Sequence, residues 1–335
     1  MSGKRAWHLV ADIGGTHGRF AVVDALTGAI AHRHTVAVED SPEFDVALDL
    51  FLAAIAETAS WQAHPEASCL AVASSDDGEE VLALTNSAWV IHTGRVARRL
   101  GLERVDVLND FAAIGYALPG FGERDWLQIG AGHSREGSPC VVLGPGTGLG
   151  VCAVVPVAGN GVTVLSGEGG HGDYAPVDDD EIEVLRLLRG RFGRVSMERV
   201  FSGMGLQNLY WALAQLHGVT TASAAPGDRT PAQITVAARE GADPVAVHAL
   251  ALFFRGLGSI AGNLALAFGA HGGVYLAGGI LPRLADSLSR SEFRERFLAK
   301  GRFEAYLSDV PTRLVTRKDP GLEGAARYLG RGLVP

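Results

Sequence analysis

The feature that most constrains the fold is an early glycine turn between two apolar runs. The first run contains Asp12 near its end and leads through Ile13 into Gly14, Gly15 and Thr16. A second apolar run occupies residues 20–23. This pattern predicts a strand, a tight turn and a returning strand. Glycines let a ligand approach the backbone closely, and successive amides in such a turn form a concavity that binds anions. We therefore predict that the turn binds phosphate, with Thr16 adding a hydroxyl donor, although an ordinary hairpin turn has the same glycines.

A second glycine turn repeats the pattern. Apolar runs flank residues 144–150, which read Gly-Pro-Gly-Thr-Gly-Leu-Gly. Neither turn is a Walker A loop, because no Gly-Lys-Ser/Thr follows, and Leu149 stands where a dinucleotide motif needs its third glycine. Two such hairpins suggest an internal duplication that faces a shared cleft, each hairpin binding a different part of one polyphosphate. The residues expected to bind phosphate in the second turn are Gly146, Thr147 and Gly148.

Composition is typical of a soluble globular protein. The 335 residues, 47% of them hydrophobic and 20% charged, are enough for two domains. The net charge of −8 argues against nucleic acid or an acidic membrane surface as a partner. No uninterrupted apolar stretch approaches the roughly twenty residues of a membrane helix, and no signal peptide precedes the first strand. We expect a cytoplasmic protein.

Signals for metal binding are weak. Cys69, Cys140 and Cys152 lie in or beside apolar runs and no pair has metal-ligand spacing, so buried thiols in a reducing compartment are expected. Asp12 ends a buried strand beside the first turn, where its carboxylate could hold a phosphate-bound Mg²⁺ through water. Direct ligation of a metal by the protein is not expected.

Strands and helices alternate through the first third of the chain, which predicts an α/β domain with a mixed sheet. Ser41 and Pro42 are expected to open a helix as its cap and first residue. Further on, a buried strand ends at Leu108, and an apolar helix follows Asn109 and Asp110. Ligands bind at such strand ends. Capping of the helix is the alternative use of these two side chains, and the two uses are compatible.

A polar, glycine-rich loop follows a strand in the second half. Residues 166–174 contain Glu168 and His171 among four glycines, a set that suits sugar hydroxyls better than zinc, because no thiolate cluster accompanies it. Glu198 lies on an otherwise apolar turn, where a plain surface charge is the alternative. Gly278 and Gly279 follow another strand and could make room for adenine or its α-phosphate, though a plain turn is equally consistent.

Several of these stretches coincide, in order, with one family. DIGGTHGRF, LNDFAA, GPGTGLG and GEGGHGDYAP, together with VYLAGGILPR and GSIAGNLAL, make the chain closely similar to bacterial glucokinases of the hexokinase type. Those enzymes have the two-domain actin-like ATPase (ribonuclease H-like) α/β fold, with duplicated phosphate hairpins and an interdomain cleft. The resemblance extends from residue 9 to about residue 328.

The resemblance implies ATP-dependent phosphorylation of glucose at its 6-hydroxyl, in glycolysis, by a cytoplasmic homodimer that uses ATP and Mg²⁺. By motif position Asp110 is the general base and also contacts the sugar. The two Gly-Thr turns bind the phosphates, and Gly278 and Gly279 lie near the adenosine. The implied small domain comprises residues 1–119 together with 311–335, and the implied large domain comprises residues 120–310. The other implied sugar contacts are Asn86, Asn109, Glu168, His171 and Glu198.

Two departures and three alternatives accompany this interpretation. His17 stands where the family has asparagine. The turn at residues 74–78 lacks the usual proline and is one residue longer than in the family.

A related hexose kinase of the ROK group (repressor, open reading frame, kinase) would carry a cysteine-rich zinc motif, which is absent. A ROK-type repressor would need a DNA-binding extension, for which the early first strand is expected to leave no room. An actin-like ATPase without sugar activity would leave Glu168 and His171 unexplained.

Overall fold

The structure, a computed structural model, describes residues 4–58, 60–73, 80–84, 87–159, 161–219 and 228–330. The strands in these ranges are β1 Trp7–Ile13, β2 His17–Asp24, β3 Ile30–Ala37, β4 Ala67–Val72, β5 Val81–Ala83, β6 Val90–His92, β7 Asp106–Asn109, β8 Trp126–Gly130, β9 Cys140–Pro145, β10 Leu149–Val157, β11 Gly161–Gly167, β12 Gly273–Leu276 and β13 Thr312–Val315. The α-helices are α1 Phe44–Glu57, α2 Thr93–Leu100, α3 Asp110–Ala117, α4 Asp179–Phe192, α5 Gly203–Leu216, α6 Pro231–Glu240, α7 Pro244–Phe268, α8 Ala285–Ser289, α9 Phe293–Leu298, α10 Glu304–Ser308 and α11 Pro320–Gly330.

Two sheets repeat one arrangement, which confirms the predicted duplication. The first has the order β3-β2-β1-β4-β7 and the second has the order β11-β10-β9-β12-β13-β8. In the first sheet, β1 pairs antiparallel with β2 and parallel with β4. In the second, β9 pairs antiparallel with β10 and parallel with β12. Each glycine turn therefore joins the central strand of a sheet to its antiparallel neighbour.

The chain divides into two compact units. The first comprises Met1–Gly122, Pro156–Ser166 and Arg317–Pro335, and the second comprises Glu123–Val155 and Gly167–Thr316. These bounds differ from the predicted domain boundaries mainly at residues 156–166. That segment belongs to the first unit because Val162 and Val164 pack against its core beside Ile30 and Tyr328.

In the first unit, both faces of the sheet are covered. Leu9, Ala11 and Ile13 alternate along β1 and pack on one side with apolar residues of α1 and α2. Val10 points to the other face, where the core includes residues of α3 and α11. Burial on both faces explains why β1 reads as a nearly continuous apolar run rather than an alternating one.

The core of the second unit is built around the long helix α7. Glycines on this helix allow close packing: a side chain at Gly258 would meet the carbonyl oxygen of Phe293, and one at Gly262 that of Phe297, both on α9. Among the described residues, α7 has the length and apolar composition to cross a membrane. However, 78% of its most apolar window is buried inside the protein, as in a core helix.

The predicted start of the first helix is wrong. The helix begins at Phe44 after an N-cap at Glu43, and no side chain caps it. Ser41 is instead buried, and its carbonyl oxygen accepts a hydrogen bond from the indole nitrogen of Trp89 at 2.9 Å. A long-range contact thus holds Ser41 in extended backbone outside the helix.

The three cysteines, all within the described residues, are thiols rather than disulfides, as expected from their apolar surroundings. Cys69 and Cys152 are buried and Cys140 is half-buried. Burial raises the pKa of the Cys140 thiol to about 11, which keeps it protonated and unreactive near neutral pH.

Candidate active site

The first glycine turn is a closed hairpin end in the first unit. The amide of Gly14 donates to the carbonyl oxygen of His17 at 3.0 Å, and the carbonyl oxygen of Thr16 accepts from the amide of Val38 at 2.9 Å. The Nδ1 atom of His17 lies 3.0 Å from the hydroxyl oxygen of Thr16. His17, which departs from the family pattern, is therefore a direct partner of the threonine that is predicted to bind phosphate.

Asp12 lies across the hairpin from Arg19. The two residues are paired in the β1–β2 register, and Arg19 Nη1 is 3.5 Å from Asp12 Oδ2. Arg19 also lies 3.3 Å from the carboxylate of Asp319, just before α11. Burial raises the pKa of the Asp12 carboxyl, and the nearby Asp319 adds to this, while Arg19 opposes it. Arg19 was not among the predicted site residues, although counting back from the turn along both strands would have paired it with Asp12.

Asp12 suits a metal that arrives bound to phosphate. Its side chain is 18% exposed beside the glycine turn. Among the residues described, no group of three or more His, Cys, Asp or Glu side chains could hold a metal ion. Mg²⁺ keeps several waters and commonly takes only one or two protein carboxylates plus substrate phosphates, which fits a single carboxylate next to backbone amides.

Asn109 and Asp110 lie where β7 ends and α3 begins. Asn109 is the N-cap, and its Oδ1 accepts from the amides of Phe111 at 2.9 Å and Ala112 at 3.2 Å. Oδ1 of Asp110 accepts from the Phe111 amide at 2.8 Å. Capping is therefore the role that the structure gives Asn109. Asp110 is the first residue of α3, where an acidic side chain interacts favourably with the helix dipole.

The parallel strands bring Asn109 and Asp12 to the same edge of the first sheet. In the register, Ile13 pairs with Val72 and Val72 pairs with Asn109. Two strand spacings separate β1 from β7, or roughly 10 Å. Asp110 is thus at the carboxyl edge that also carries the first glycine turn, which is where ligands bind in sheets of this kind.

The second glycine turn, in the second unit, packs closely on its neighbours. The amide of Gly146 donates to the carbonyl oxygen of Gly148 at 2.8 Å, and the amide of Gly203 donates to the carbonyl oxygen of Gly146 at 2.9 Å. A side chain at Gly148 would collide with the carboxylate of Glu198, whereas one at Gly146 would meet no atom within 4 Å. Thr147, at the tip, is exposed. The open side of this turn is therefore at Gly146 and Thr147.

Gly278 lies directly against the same turn. Its φ is +88°, and a Cβ there would come within 2.6 Å of the carbonyl oxygen of Pro145. Packing alone therefore requires glycine at this position. Gly279 differs, because a Cβ there would meet nothing within 4 Å. Gly278 therefore packs on the second glycine turn and Gly279 borders open space, while their place near the adenosine stays a prediction.

Three predicted sugar-binding side chains converge in the second unit. Nε2 of His171 lies 3.8 Å from Oε2 of Glu168 and 3.9 Å from Oε1 of Glu198. The side chains of Glu168 and His171 are 59% and 54% exposed, whereas Glu198 is 24% exposed. The second carboxylate oxygen of Glu198 accepts from the amide of Leu149 at 2.9 Å. A plain surface charge does not describe Glu198, because it contacts both the glycine-rich loop at residues 166–174 and the second glycine turn.

Two sequence predictions fall outside the described residues. These are Asn86, a predicted sugar contact, and the turn at residues 74–78.

Comparison with known proteins identifies the family of the chain. The glucokinase family model matches residues 9–331. A glucokinase from Chromobacterium violaceum is 42% identical over 331 residues, covering 98% of this chain and 91% of the relative. The crystal structure of a glucokinase from an Antarctic psychrotroph is 38% identical with a TM-score of 0.82, covering 97% of this chain and 99% of that one.

A more distant structure shares the fold. The ROK-family glucokinase from Streptomyces griseus, in complex with glucose and AMPPNP, has a TM-score of 0.61 at 23% identity, over 98% of this chain and 100% of that one. The fold is the two-domain actin-like ATPase fold. With a family model that spans nearly the whole chain and a relative at 42% identity, this protein belongs to the glucokinase family.

Proposed function

We propose that this protein is an ATP-dependent glucokinase that phosphorylates the 6-hydroxyl of D-glucose. The observation that carries the proposal is the cluster of Glu168, His171 and Glu198, joined to the second glycine turn through the hydrogen bond from Leu149 to Glu198. Groups that bind hydroxyls thereby lie next to amides suited to phosphate, as a sugar kinase requires.

Asp110 is proposed as the general base. In the reaction the glucose O6 atom forms a bond to the γ-phosphorus of ATP while the bond from that phosphorus to the bridging β,γ-oxygen breaks, and ADP leaves. The O6 proton passes to the Asp110 carboxylate. Phosphoryl transfer depends mainly on positioning and on stabilising charge, so the base contributes only part of the rate enhancement.

The remaining sugar contacts follow from hydrogen-bonding chemistry. The carboxylates of Glu168 and Glu198 accept from sugar hydroxyls, and the His171 imidazole donates or accepts. Asn109 offers its amide NH₂ group to the sugar, because its Oδ1 already caps α3. Asn86 remains a proposed contact on the strength of the family resemblance.

The nucleotide is proposed to bind at the two glycine turns. Gly14, Gly15 and Thr16 bind one part of the triphosphate and Gly146, Thr147 and Gly148 another, while Gly278 and Gly279 border the adenosine. Mg²⁺ supplies neutralising charge on the β- and γ-phosphates when it is bound. Asp12 would hold its water shell, and because burial raises the pKa of the Asp12 carboxyl, acid should weaken this contact.

A coupled assay that detects ADP, run with glucose, mannose, glucosamine and fructose, tests the proposal. We expect glucose to have the highest kcat/KM and the product to be glucose 6-phosphate. Turnover with another hexose and not with glucose would assign a related hexose kinase. ATP hydrolysis that does not respond to any sugar would contradict sugar kinase activity altogether.

The resemblance also supports proposals on the cellular setting. We infer that the protein works as a cytoplasmic homodimer at the entry of glucose into glycolysis. Light scattering on the purified protein tests the dimer, for which a monomeric mass at micromolar concentration would be the contrary result. Cell fractionation tests the location.

A further inference from the structure

Backbone hydrogen bonds hold the glycine-rich loop at residues 166–174 at alternate positions. Residues 170–174 run alongside residues 195–198, with an antiparallel bridge between Asp173 and Ser196. The bonds are Tyr174 N to Val195 O at 3.0 Å, Met197 N to Gly172 O at 2.8 Å and Glu198 N to Gly170 O at 2.9 Å. Because this ladder uses residues 170, 172 and 174, it does not by itself hold the carbonyl group of His171 or the side chain of Asp173.

Arg194 contacts both of these groups. Its Nη2 donates to the carbonyl oxygen of His171 at 2.7 Å, and its Nε donates to Oδ1 of Asp173 at 2.7 Å. The guanidinium is planar, so two donors that engage the loop together restrict its orientation as well as its distance.

The end of α4 brings Arg194 to this position. The helix ends at Phe192, Gly193 adopts a φ of +72°, and the amide of Arg194 donates to the carbonyl oxygen of Phe192 at 2.9 Å. The chain therefore reverses directly before Arg194. The Arg194 side chain is 63% exposed, so the core does not depend on it.

We infer that Arg194 is a positioning residue for glucose: it fixes the main chain of His171 and so aims the imidazole between Glu168 and Glu198. This inference rests on the proposed role of His171 in binding sugar. An exposed ion pair with Asp173 alone would contribute little. The additional hydrogen bond to the His171 carbonyl oxygen lets Arg194 affect the position of the His171 side chain.

Replacing Arg194 by alanine tests the inference in the full-length enzyme. We expect the glucose KM to rise about three- to tenfold, and the glucose Kd, measured by calorimetry without nucleotide, to rise equally. The reason is that the loss corresponds to the net free energy of roughly one hydrogen bond. The kcat and the ATP KM should stay within about twofold. Arg194→Lys should recover part of the loss, since an ammonium group can keep one of the two contacts.

A matched control lies on α4, the helix that precedes Arg194. Arg186 pairs with Glu183 at 2.8 Å and is 64% exposed, so Arg186→Ala removes a similar ion pair away from the loop. It should leave glucose binding unchanged. Equal effects of Arg186→Ala and Arg194→Ala would overturn the inference, as would a rise in the ATP KM as large as that in the glucose KM.

A double-mutant cycle with His171→Ala completes the test. If Arg194 acts through His171, Arg194→Ala has no further effect on the glucose Kd when His171 is already alanine. Additive effects would overturn the inference while leaving the proposed function intact. If His171→Ala alone left glucose binding unchanged, both the proposed role of the loop and the inference would fail.

Discussion

Glu198 Oε2 accepts a hydrogen bond from the backbone amide of Leu149 at 2.9 Å. Its other oxygen faces His171 at 3.9 Å. One carboxylate therefore contacts the end of a glycine turn suited to phosphate and a loop suited to sugar hydroxyls. Gly148 is glycine for the same reason, because a side chain there would occupy the position of this carboxylate.

Substitutions of Glu198 and of Glu168 should have different effects on glucose and AMPPNP binding. Glu198→Ala is expected to weaken both glucose and AMPPNP binding, because it leaves the Leu149 amide without its partner and removes a sugar contact. Glu168→Gln should weaken glucose binding about ten- to a hundredfold and leave AMPPNP binding unchanged, since a charge-assisted hydrogen bond contributes roughly 1.5–3 kcal/mol. Calorimetry with each ligand measures both. Loss of AMPPNP binding in Glu168→Gln with intact glucose binding would contradict the assignment.

Asp110→Asn should abolish most turnover and preserve the fold. General-base catalysis contributes about 10²- to 10⁴-fold, so kcat is expected to fall within that range. Helix α3 should remain, because Asn109 provides its cap and an asparagine oxygen can still accept from the Phe111 amide. Glucose binding should change by less than about tenfold, consistent with loss of one hydrogen bond. If kcat fell by less than roughly threefold, the loss would be far smaller than removal of a general base produces, and Asp110 would be excluded from that role.

Asp12→Asn is expected to raise stability and lower activity together. Burial raises the pKa of the folded-state carboxyl above its unfolded value, so the folded protein binds more protons between the two values. The free energy of unfolding therefore falls as pH rises from the unfolded-state pKa to the folded-state pKa. Above the folded-state pKa the buried charge lowers stability by its full amount. Removing the charge should raise Tm at pH 7, with a smaller gain near pH 4.

The activity of the same variant should move in the opposite direction. A carboxylate that holds metal through water is an outer-shell group, and loss of such groups typically costs about 10- to 100-fold in metal affinity or activity. Asp45→Asn is the control, because its partner Arg95 is 54% exposed and surface pairs contribute little. Thermal unfolding across pH, together with kcat/KM for MgATP, measures both effects. A drop in Tm at pH 7 would contradict the argument.

Gly146→Ala and Gly278→Ala separate ligand binding from folding. A Cβ at Gly146 meets nothing within 4 Å, so stability should stay within about 0.5 kcal/mol, while AMPPNP binding falls about ten- to a hundredfold if phosphate needs that space. At Gly278 the φ of +88° and the Pro145 carbonyl oxygen should make alanine destabilising by about 1–3 kcal/mol. Thermal unfolding and calorimetry measure the two quantities. Unchanged AMPPNP binding in Gly146→Ala would show that the open side of the turn does not face phosphate.

Much of the local structure follows from short-range chemistry. The strand–turn–strand pattern around Gly14 and Gly15 predicts the observed β1–β2 hairpin, because apolar runs and a glycine turn are local properties. The polar pair Asn109 and Asp110, which follows the apolar run ending at Leu108, predicts the helix start at Asp110. Ser41 shows where such reasoning fails: its capping pattern is good, but a hydrogen bond from Trp89, 48 residues away, holds it outside the helix.

The sequence by itself determined the duplicated hairpins, the strand ends that carry polar groups and the family to which the chain belongs. Tertiary structure alone decided which distant groups meet. It placed Leu149 on Glu198, Arg194 on His171, and Asp319 beside Arg19. Such contacts depend on how helices and loops pack over long sequence separations, and no periodicity of apolar residues records them.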